Sequence, residues 1–455
     1  MANKAKKIKT GNGLKLEIVN PNAAGIDVSS TEMQVCVPPD RDAEYNRCFG
    51  TFTEDLHFIS AWLKACQIDT IAMESTGVYW VQLFMILVSD GFDVILGNAK
   101  SIKNIGEKKT DEVDAEWIML LHSYGMIKSS FQPNNFARRI RNLSRHKDNL
   151  VKTSSREVLH MQKAMILMNI QLGNVITDIL GKSGQAVISS ILAGERNAGR
   201  LALLADPRCK SSKMVIEKSL VANWDDDLIF MLKQSFELYK FIQQQMQNCD
   251  QEIENIIIQY KETIMQDCAI EKECKRSNKK KNKKNMIAFD IEAYGNALFG
   301  VNIMRVPGIS DSSLLRLTGE LGHDFTKNFD RYKEFCCWCN VAPNNKITGG
   351  KLISSKLPKR KNPVGQILRQ SANSLKFSKT PLGYYFRRIQ SKSGYMPAII
   401  ATANKIGRII YTMVKNKREF DESYGQIDES EILKKKLLKT QLALEKIQKQ
   451  LKECA

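Results

Sequence analysis

The sequence predicts an α/β domain at the N-terminus followed by a mainly helical remainder. Three observations carry this. Strand-like and helix-like segments alternate over residues 14–130, a heptad periodicity runs through residues 228–260, and the later segments read mostly as helices. In order, residues 23–38 read as a strand, a short turn at 29–31 and a second strand, and residues 45–52 as a third short strand. Helical spacing over residues 56–66 leads to a short apolar strand, 70–73, that ends at Glu74. Residues 78–89 read as a helix, 92–97 as a strand and 111–124 as a helix. Three strands followed by helix–strand–helix–strand–helix is an α/β pattern.

Beyond this domain, residues 135–175 read as helical and strongly basic on one side, through Arg138, Arg139, Arg141, Arg145, Lys147, Lys152 and Arg156. Residues 177–222 suit further short helices. Leu228, Leu232, Ser235, Tyr239, Ile242, Met246, Cys249, Ile253, Ile256 and Tyr260 then step alternately by four and three, which is a heptad seam. It suits either a helix packed within the chain or a coiled coil between subunits. The charge run EKECKRSNKKKNKK breaks the periodicity and reads as a linker.

Residues 286–420 form a smaller, mainly helical domain. Val306-Pro307-Gly308-Ile309-Ser310 turns into an apolar helix over 312–321, and a Gly- and Lys-rich stretch, 344–362, precedes a helix over 363–376. The tail places Leu433, Leu437, Leu444, Ile447 and Leu451 on one face and suits a second, short coiled coil. The expected organisation is thus 14–130, 131–270, a basic linker 271–285, 286–420 and an amphipathic tail 421–455.

Of the 455 residues, 68 are Lys or Arg and 49 Asp or Glu, a net charge of +19 that asks for a polyanion. Nucleic acid is the first candidate, ahead of an anionic membrane surface or a merely basic soluble protein. No apolar run reaches the roughly 20 residues of a membrane span, and the basic N-terminus precedes no signal core, so a cytoplasmic protein is expected. Eleven cysteines, an odd number, favour a reducing compartment over a disulfide framework. Cys336, Cys337 and Cys339 are clustered, but a zinc site would want a second ligand pair, so reduced, buried thiols beside Phe335 and Trp338 are the expected reading.

The chemistry is expected among carboxylates. Asp27 lies inside the apolar strand Ala24-Gly25-Ile26-Asp27-Val28, where an uncompensated charge is costly. Glu74 ends another apolar strand. Asp111 and Asp114, three apart at a helix start, share one face, although a solvated helix N-terminus also favours acids. An Asp in the first strand, a Glu ending the fourth and paired Asp residues on a following helix match a ribonuclease-H-like layout. Carboxylates converging there repel one another and need cations, which two Mg²⁺ ions would supply for phosphodiester transfer.

The motifs GIDVSSTEMQVCV, AMESTGVYW and KKTDEVDAEWI resemble the three acidic motifs of the DEDD insertion-sequence transposases, the Piv-like enzymes of bridge-RNA-guided elements with a RuvC-like catalytic domain. RRIRNLSRHKDNLV resembles their basic helical segment, and VPGIS, NVAPNNKITGGK and NPVGQILRQSAN resemble their C-terminal transposase domain. The resemblance implies that Asp27, Glu74, Asp111 and Asp114 form the metal-binding tetrad. It also implies a hydroxyl nucleophile that attacks DNA, a serine just before a glycine in the family. Thr348, before Gly349 and Gly350, stands at that position here. A threonine hydroxyl can attack but is more crowded, which keeps Ser354 and Ser355 as alternatives. Exchange of phosphodiesters through a protein–DNA ester needs no ATP, and the sequence holds no P-loop.

Lys351, Lys356, Lys359, Arg360, Lys361 and Arg369 flank the expected nucleophile and suit scissile-strand phosphates, as Arg138, Arg139, Arg141, Arg145 and Lys147 suit a nucleic-acid backbone. The resemblance further implies donor and target DNA, a structured guide RNA that selects them, a dimer or tetramer, and a prokaryotic, nucleoid-associated setting. The expected activity is that of a transposase and site-specific recombinase. A RuvC-like junction-resolving nuclease using water, and a catalytically inactive nucleic-acid-binding derivative, are the rival readings.

Overall fold

A computed structural model describes residues 17–75, 77–97, 111–264, 276–277 and 286–421, and 437–438, 440–445, 447 and 450 of the tail. The linker expected over 271–285 therefore lies almost entirely outside the described residues, as do Leu433 and Leu451 of the amphipathic tail. The chain divides into two compact units, Met1–Gln132 and Pro133–Ala455.

The first unit carries β1 (Ala23–Val28), β2 (Met33–Cys36), β3 (Asn46–Phe49), α1 (Thr53–Ala65), β4 (Thr70–Glu74), α2 (Trp80–Ser89), β5 (Asp93–Gly97) and α3 (Asp111–Ser123). The five strands form one sheet in the order β3-β2-β1-β4-β5. The first three are antiparallel, and β4 and β5 join parallel to β1. Strand alternation sorts the side chains. Ala24, Ile26 and Val28 of β1 and Ile71 and Met73 of β4 pack with Leu56, Ile59 and Leu63 of α1 and Leu83 and Leu87 of α2. The intervening positions face α3: Ala72 packs with Ile118 and Leu121, and Cys36 with Ala115 and Met119. The sheet thus lies between α1 and α2 on one face and α3 on the other.

The second unit begins with α4 (Asn135–Leu167), started by Asn134, whose side chain accepts from the Ala137 amide. The short helices α5 (Leu172–Val175), α6 (Lys182–Leu192), α7 (Ala198–Leu203) and α8 (Lys213–Ser219) follow, then the 39-residue α9 (Asp226–Ile264). The short helices enclose a core of Met161, Met165, Met168, Ile188, Ile191, Leu201, Ile216, Leu232 and Phe236. Helix α9 packs along α4 of the same chain, burying Ile242, Met246, Cys249, Ile253 and Ile256. The seam is therefore covered within the chain. At its start Phe236 is buried rather than Ser235, because the larger apolar side chain reaches the core of short helices.

Charges are built into this packing. The Lys147 ammonium of α4 pairs with Asp250 of α9, both buried, and the second Asp250 oxygen accepts from the Ala288 amide at 3.1 Å.

The chain continues through α10 (Ile291–Phe299), α11 (Asp311–Leu321), α12 (Tyr332–Trp338), a hairpin of β6 (Lys346–Thr348) and β7 (Lys351–Ser354), α13 (Pro363–Ser374), α14 (Pro381–Ser393) and α15 (Tyr395–Asn416). Phe325, Phe329, Phe335 and Tyr411 form an aromatic centre, closed by the Tyr411 hydroxyl donating to the Phe329 carbonyl at 2.6 Å. No helix among the described residues is long and apolar enough to cross a membrane.

Removing one member of a buried ion pair leaves the other charge uncompensated. Asp250→Ala is expected to cost the second unit about 3–5 kcal/mol in urea unfolding of the full chain. The double variant Lys147→Met/Asp250→Leu should recover most of that loss. A single variant as stable as the double would show that the pair contributes only packing.

Candidate active site

Asp27, next to last in β1, and Glu74, last in β4, lie on adjacent parallel strands. The last paired rung of β1 and β4 is Ile26↔Met73, and the next residue on each strand is a carboxylate. Because both follow that rung by one residue, their side chains share the face opposite Ile26 and Met73, the face that α3 covers. Glu74 is buried and Asp27 half-buried, and each has interaction partners.

Helix α3 brings the third carboxylate to the same end of the sheet. At its far end, His122 is buried, with Nε2 2.9 Å from the Thr70 hydroxyl at the start of β4. Burial holds the imidazole below the usual histidine range. From His122 back to Asp114 the helix rises about 12 Å. From Thr70 to Glu74 the strand rises about 13 Å. The two advances match, so Asp114 comes level with the carboxylate end of the strands.

Gly25 permits this approach. A Cβ at Gly25 would lie 2.2 Å from the Met119 amide nitrogen and 2.4 Å from the Ala115 carbonyl oxygen, both backbone atoms of α3. Ala72 on the neighbouring strand is similarly small. Asp111 is the first residue of α3, and its side chain lies outside the described part of the structure. Among the described residues, no three His, Cys, Asp or Glu side chains are already gathered as a metal cage. The donors are nevertheless all carboxylate oxygens, the chemistry that suits a hard divalent cation.

Sequence reasoning passed over Gln34. It stands opposite Asp27 across the β1–β2 pairing, is buried, and donates to the Asn46 side chain at 2.8 Å. A lone amide between Met33 and Val35 was the signal that marked it.

In the second unit, Thr348 is the last residue of β6. It pairs with Lys351 across a two-residue turn of Gly349 and Gly350, whose φ values of +54° and +76° only glycine adopts readily. The Gly-Gly pair between strand-like residues was a hairpin signal in a stretch read only as Gly- and Lys-rich. Both strands stand in solvent, with Ile347 and Leu352 62% and 58% exposed. Thr348 is exposed, Ser354 is half-buried and Ser355 exposed.

The basic residues divide. Lys351, Lys356, Lys359 and Lys361 are exposed around the hairpin. The Arg360 guanidinium donates to the Cys337 and Trp338 carbonyls, and Arg369 donates to the Asn340 carbonyl at 3.3 Å, so both also hold the loop that carries the hairpin. On α4, Arg138 and Arg139 lie at or near the surface. Arg145 makes a two-point contact with Glu320 of α11 at 2.8 and 2.9 Å, and Arg141 lies 3.7 Å from the same carboxylate. Lys147 is corrected from a phosphate contact to an interior residue, because its charge is buried against Asp250. Cys336 and Cys339 are buried, and burial pushes the Cys336 thiol up to about 12 and Cys339 well above its ordinary value.

An α/β sheet with carboxylates near one end and a helical unit with an exposed basic hairpin suit work on nucleic acid. Comparison with known families identifies the chain as a DNA transposase or recombinase. The DEDD transposase model of the IS110 group matches residues 24–169, and the model described as Transposase IS116/IS110/IS902 family matches residues 301–384. The chain belongs to the IS110 family of DEDD-type transposases. The first match runs from β1 through the whole of α4, so the basic helix belongs to the same family segment as the sheet. No curated protein matches the chain.

Gly25→Ala is expected to push α3 off the sheet. It should destabilise the first unit by about 1–3 kcal/mol, the usual cost of overpacking, and abolish strand cleavage. Thermal unfolding and a DNA-cleavage assay on the full chain test this. Wild-type melting with wild-type cleavage would show that α3 does not need this approach.

Proposed function

We propose that the protein cuts and rejoins DNA strands of a mobile insertion sequence, using a ribonuclease-H-like, RuvC-like domain and a threonine nucleophile. The observation that carries this reading is the register of β1 and β4, in which Asp27 and Glu74 each follow the last paired rung by one residue; the close approach of α3 at Gly25 supports adding Asp114 to them. The strand order β3-β2-β1-β4-β5, with three antiparallel strands followed by two parallel ones, supports the ribonuclease-H-like assignment.

Asp27, Glu74, Asp111 and Asp114 would hold divalent cations, two Mg²⁺ ions in our reading. When bound, such ions neutralise charge developing on the scissile phosphate and the leaving oxygen. Thr348 supplies the attacking oxygen. Its Oγ1 bonds to phosphorus as the P–O3′ bond breaks, and the proton lost from Thr348 is balanced by one gained at the freed 3′-oxygen. The phosphoester to Thr348 keeps the energy of the broken bond, so the 3′-hydroxyl of another strand can reverse the step without ATP. The Gly349-Gly350 turn supports this role by holding Thr348 out in solvent, where a duplex backbone can reach it. Lys351, Lys356, Lys359 and Lys361 neutralise flanking phosphates independently of sequence.

Selection of donor and target by a structured guide RNA rests on the family resemblance. Action as a dimer or tetramer is supported by the exposed apolar side chains Phe230, Leu238 and Phe241 of α9, which lie away from the seam already covered by α4. A cytoplasmic, nucleoid-associated site of action follows from the same reading.

Asp27→Ala, Glu74→Ala and Asp114→Ala should each lower strand cleavage at least a hundredfold in Mg²⁺ while leaving DNA binding within a few-fold. Cleavage retained by any of them would overturn the metal-site assignment for that residue.

The nucleophile is tested separately by trapping a covalent protein–DNA adduct with labelled substrate. Thr348→Ala should abolish it, and Thr348→Ser should keep or increase it, since a primary hydroxyl is less crowded. An adduct that persists in Thr348→Ala would move the role to Ser354 or Ser355. Cleavage without any adduct would make water the nucleophile and the protein a junction nuclease.

A further inference from the structure

The positive charge of the chain is concentrated. From residue 335 to residue 418 the sequence contains 17 Lys and Arg residues and no Asp or Glu. This segment holds the hairpin, α13, α14 and α15, yet the hairpin lies at one end of it. Its middle, around residues 376–395, carries an arrangement that the strand-cleavage reading does not use.

Just beyond α13, Phe377 is 83% exposed. The Lys376 ammonium lies 5.0 Å from the Phe377 ring centre and 5.3 Å from that of Tyr395, at the start of α15. Tyr395 is 40% exposed and fixed at both ends. Its hydroxyl donates to the Asn373 side-chain oxygen at 2.5 Å, and its ring meets the buried Phe386 edge-on at 6.1 Å.

The loop bearing Phe377 is equally constrained. Arg387 donates to the Lys376 and Ser378 carbonyls at 3.0 and 2.8 Å. A Cβ on Gly383 would lie 2.3 Å from the Ser378 carbonyl oxygen, so α14 is pressed against the loop. A scaffold this tight holds a large apolar ring out in water.

We propose that Phe377 and Tyr395, with Lys376 between them, form a stacking site for an unpaired base of single-stranded nucleic acid. An exposed ring face costs free energy in water unless a flat partner covers it, and a base is a flat partner of any sequence. The segment without carboxylates supplies the complementary field for the phosphates on either side of that base. A duplex keeps its bases stacked on one another and offers this site only phosphates, so the site distinguishes open strands from paired ones. The inference deepens the strand-exchange reading and rests on it for the origin of the open strand, since a cut strand that passes to a new partner leaves its complement.

The test uses the full chain and three labelled probes of one sequence, a single-stranded DNA, a single-stranded RNA and the corresponding DNA duplex. Each single strand carries one 2-aminopurine whose fluorescence reports stacking. Phe377→Ala should weaken single-strand binding about tenfold and abolish the 2-aminopurine change, leaving duplex affinity and its salt dependence unaltered. Phe377→Trp should retain both signals. Loss with RNA alone, or with DNA alone, would identify which strand the site serves.

An equal loss on duplex and single strand, or no loss at all, would overturn the proposal. Because Phe377 is exposed, an unchanged thermal melt separates loss of contact from misfolding. Binding is read without cleavage, so failure of the adduct experiment at Thr348 leaves this result interpretable, and the reverse also holds.

Discussion

The close contact between helix α3 and strand β1 at Gly25 sets how the helix that carries Asp114 lies on the sheet. Backbone atoms of α3 stand where any side chain at residue 25 would have to go. This contact, together with the His122–Thr70 pair at the other end of the helix, fixes both the height and the direction of α3 over the sheet. Asp114 is carried to the strand ends as a consequence. Asp27 and Glu74 need no such help, because parallel pairing of β1 and β4 places them beside each other. The arrangement concentrates negative charge at one end of a sheet whose other face is a closed apolar core, and a hard cation is the natural counter-charge.

Positive charge is handled in two ways in the second unit. On α4 it is partly internal: Lys147 is neutralised by Asp250, and Arg141 and Arg145 converge on Glu320. Gly319 takes part, since a Cβ there would lie 2.9 Å from the Arg141 backbone, so α11 rests directly on α4. These residues tie the helical region to the C-terminal helices as one packed body. Beyond α12 much of the charge is external: the lysines around the hairpin are exposed, and no acidic residue occurs in sequence from 335 to 418.

Two places in that basic segment differ in kind. At the hairpin, a glycine pair and exposed strands present a hydroxyl and lysines, groups suited to a phosphodiester. At the start of α15, a rigid loop presents rings and an ammonium, groups suited to a base and its phosphates. An enzyme that exchanges strands has to handle both parts of a nucleotide, and the chain separates them.

Local pattern determined much of this from the sequence alone. Short apolar runs and helical spacing located the described strands and helices of the first unit to within a few residues, because the central strands are buried on both faces and the helices each bury one. The order Asp, Glu, Asp–x–x–Asp was legible for the same reason, since a carboxylate interrupting an apolar strand stands out against its neighbours. The Thr348 hairpin was not read, although its Gly-Gly turn was visible, because short exposed strands bury nothing and leave no periodic signature.

Only the tertiary structure decided which basic residues are surface and which are interior. The partners Asp250 and Glu320 lie 103 residues from Lys147 and 175 from Arg145, and no helical periodicity records a neighbour that distant. The heptad seam is the same case. Its spacing states that one face of the helix must be buried, but whether α4 or another subunit buries it depends on packing that sequence period does not encode.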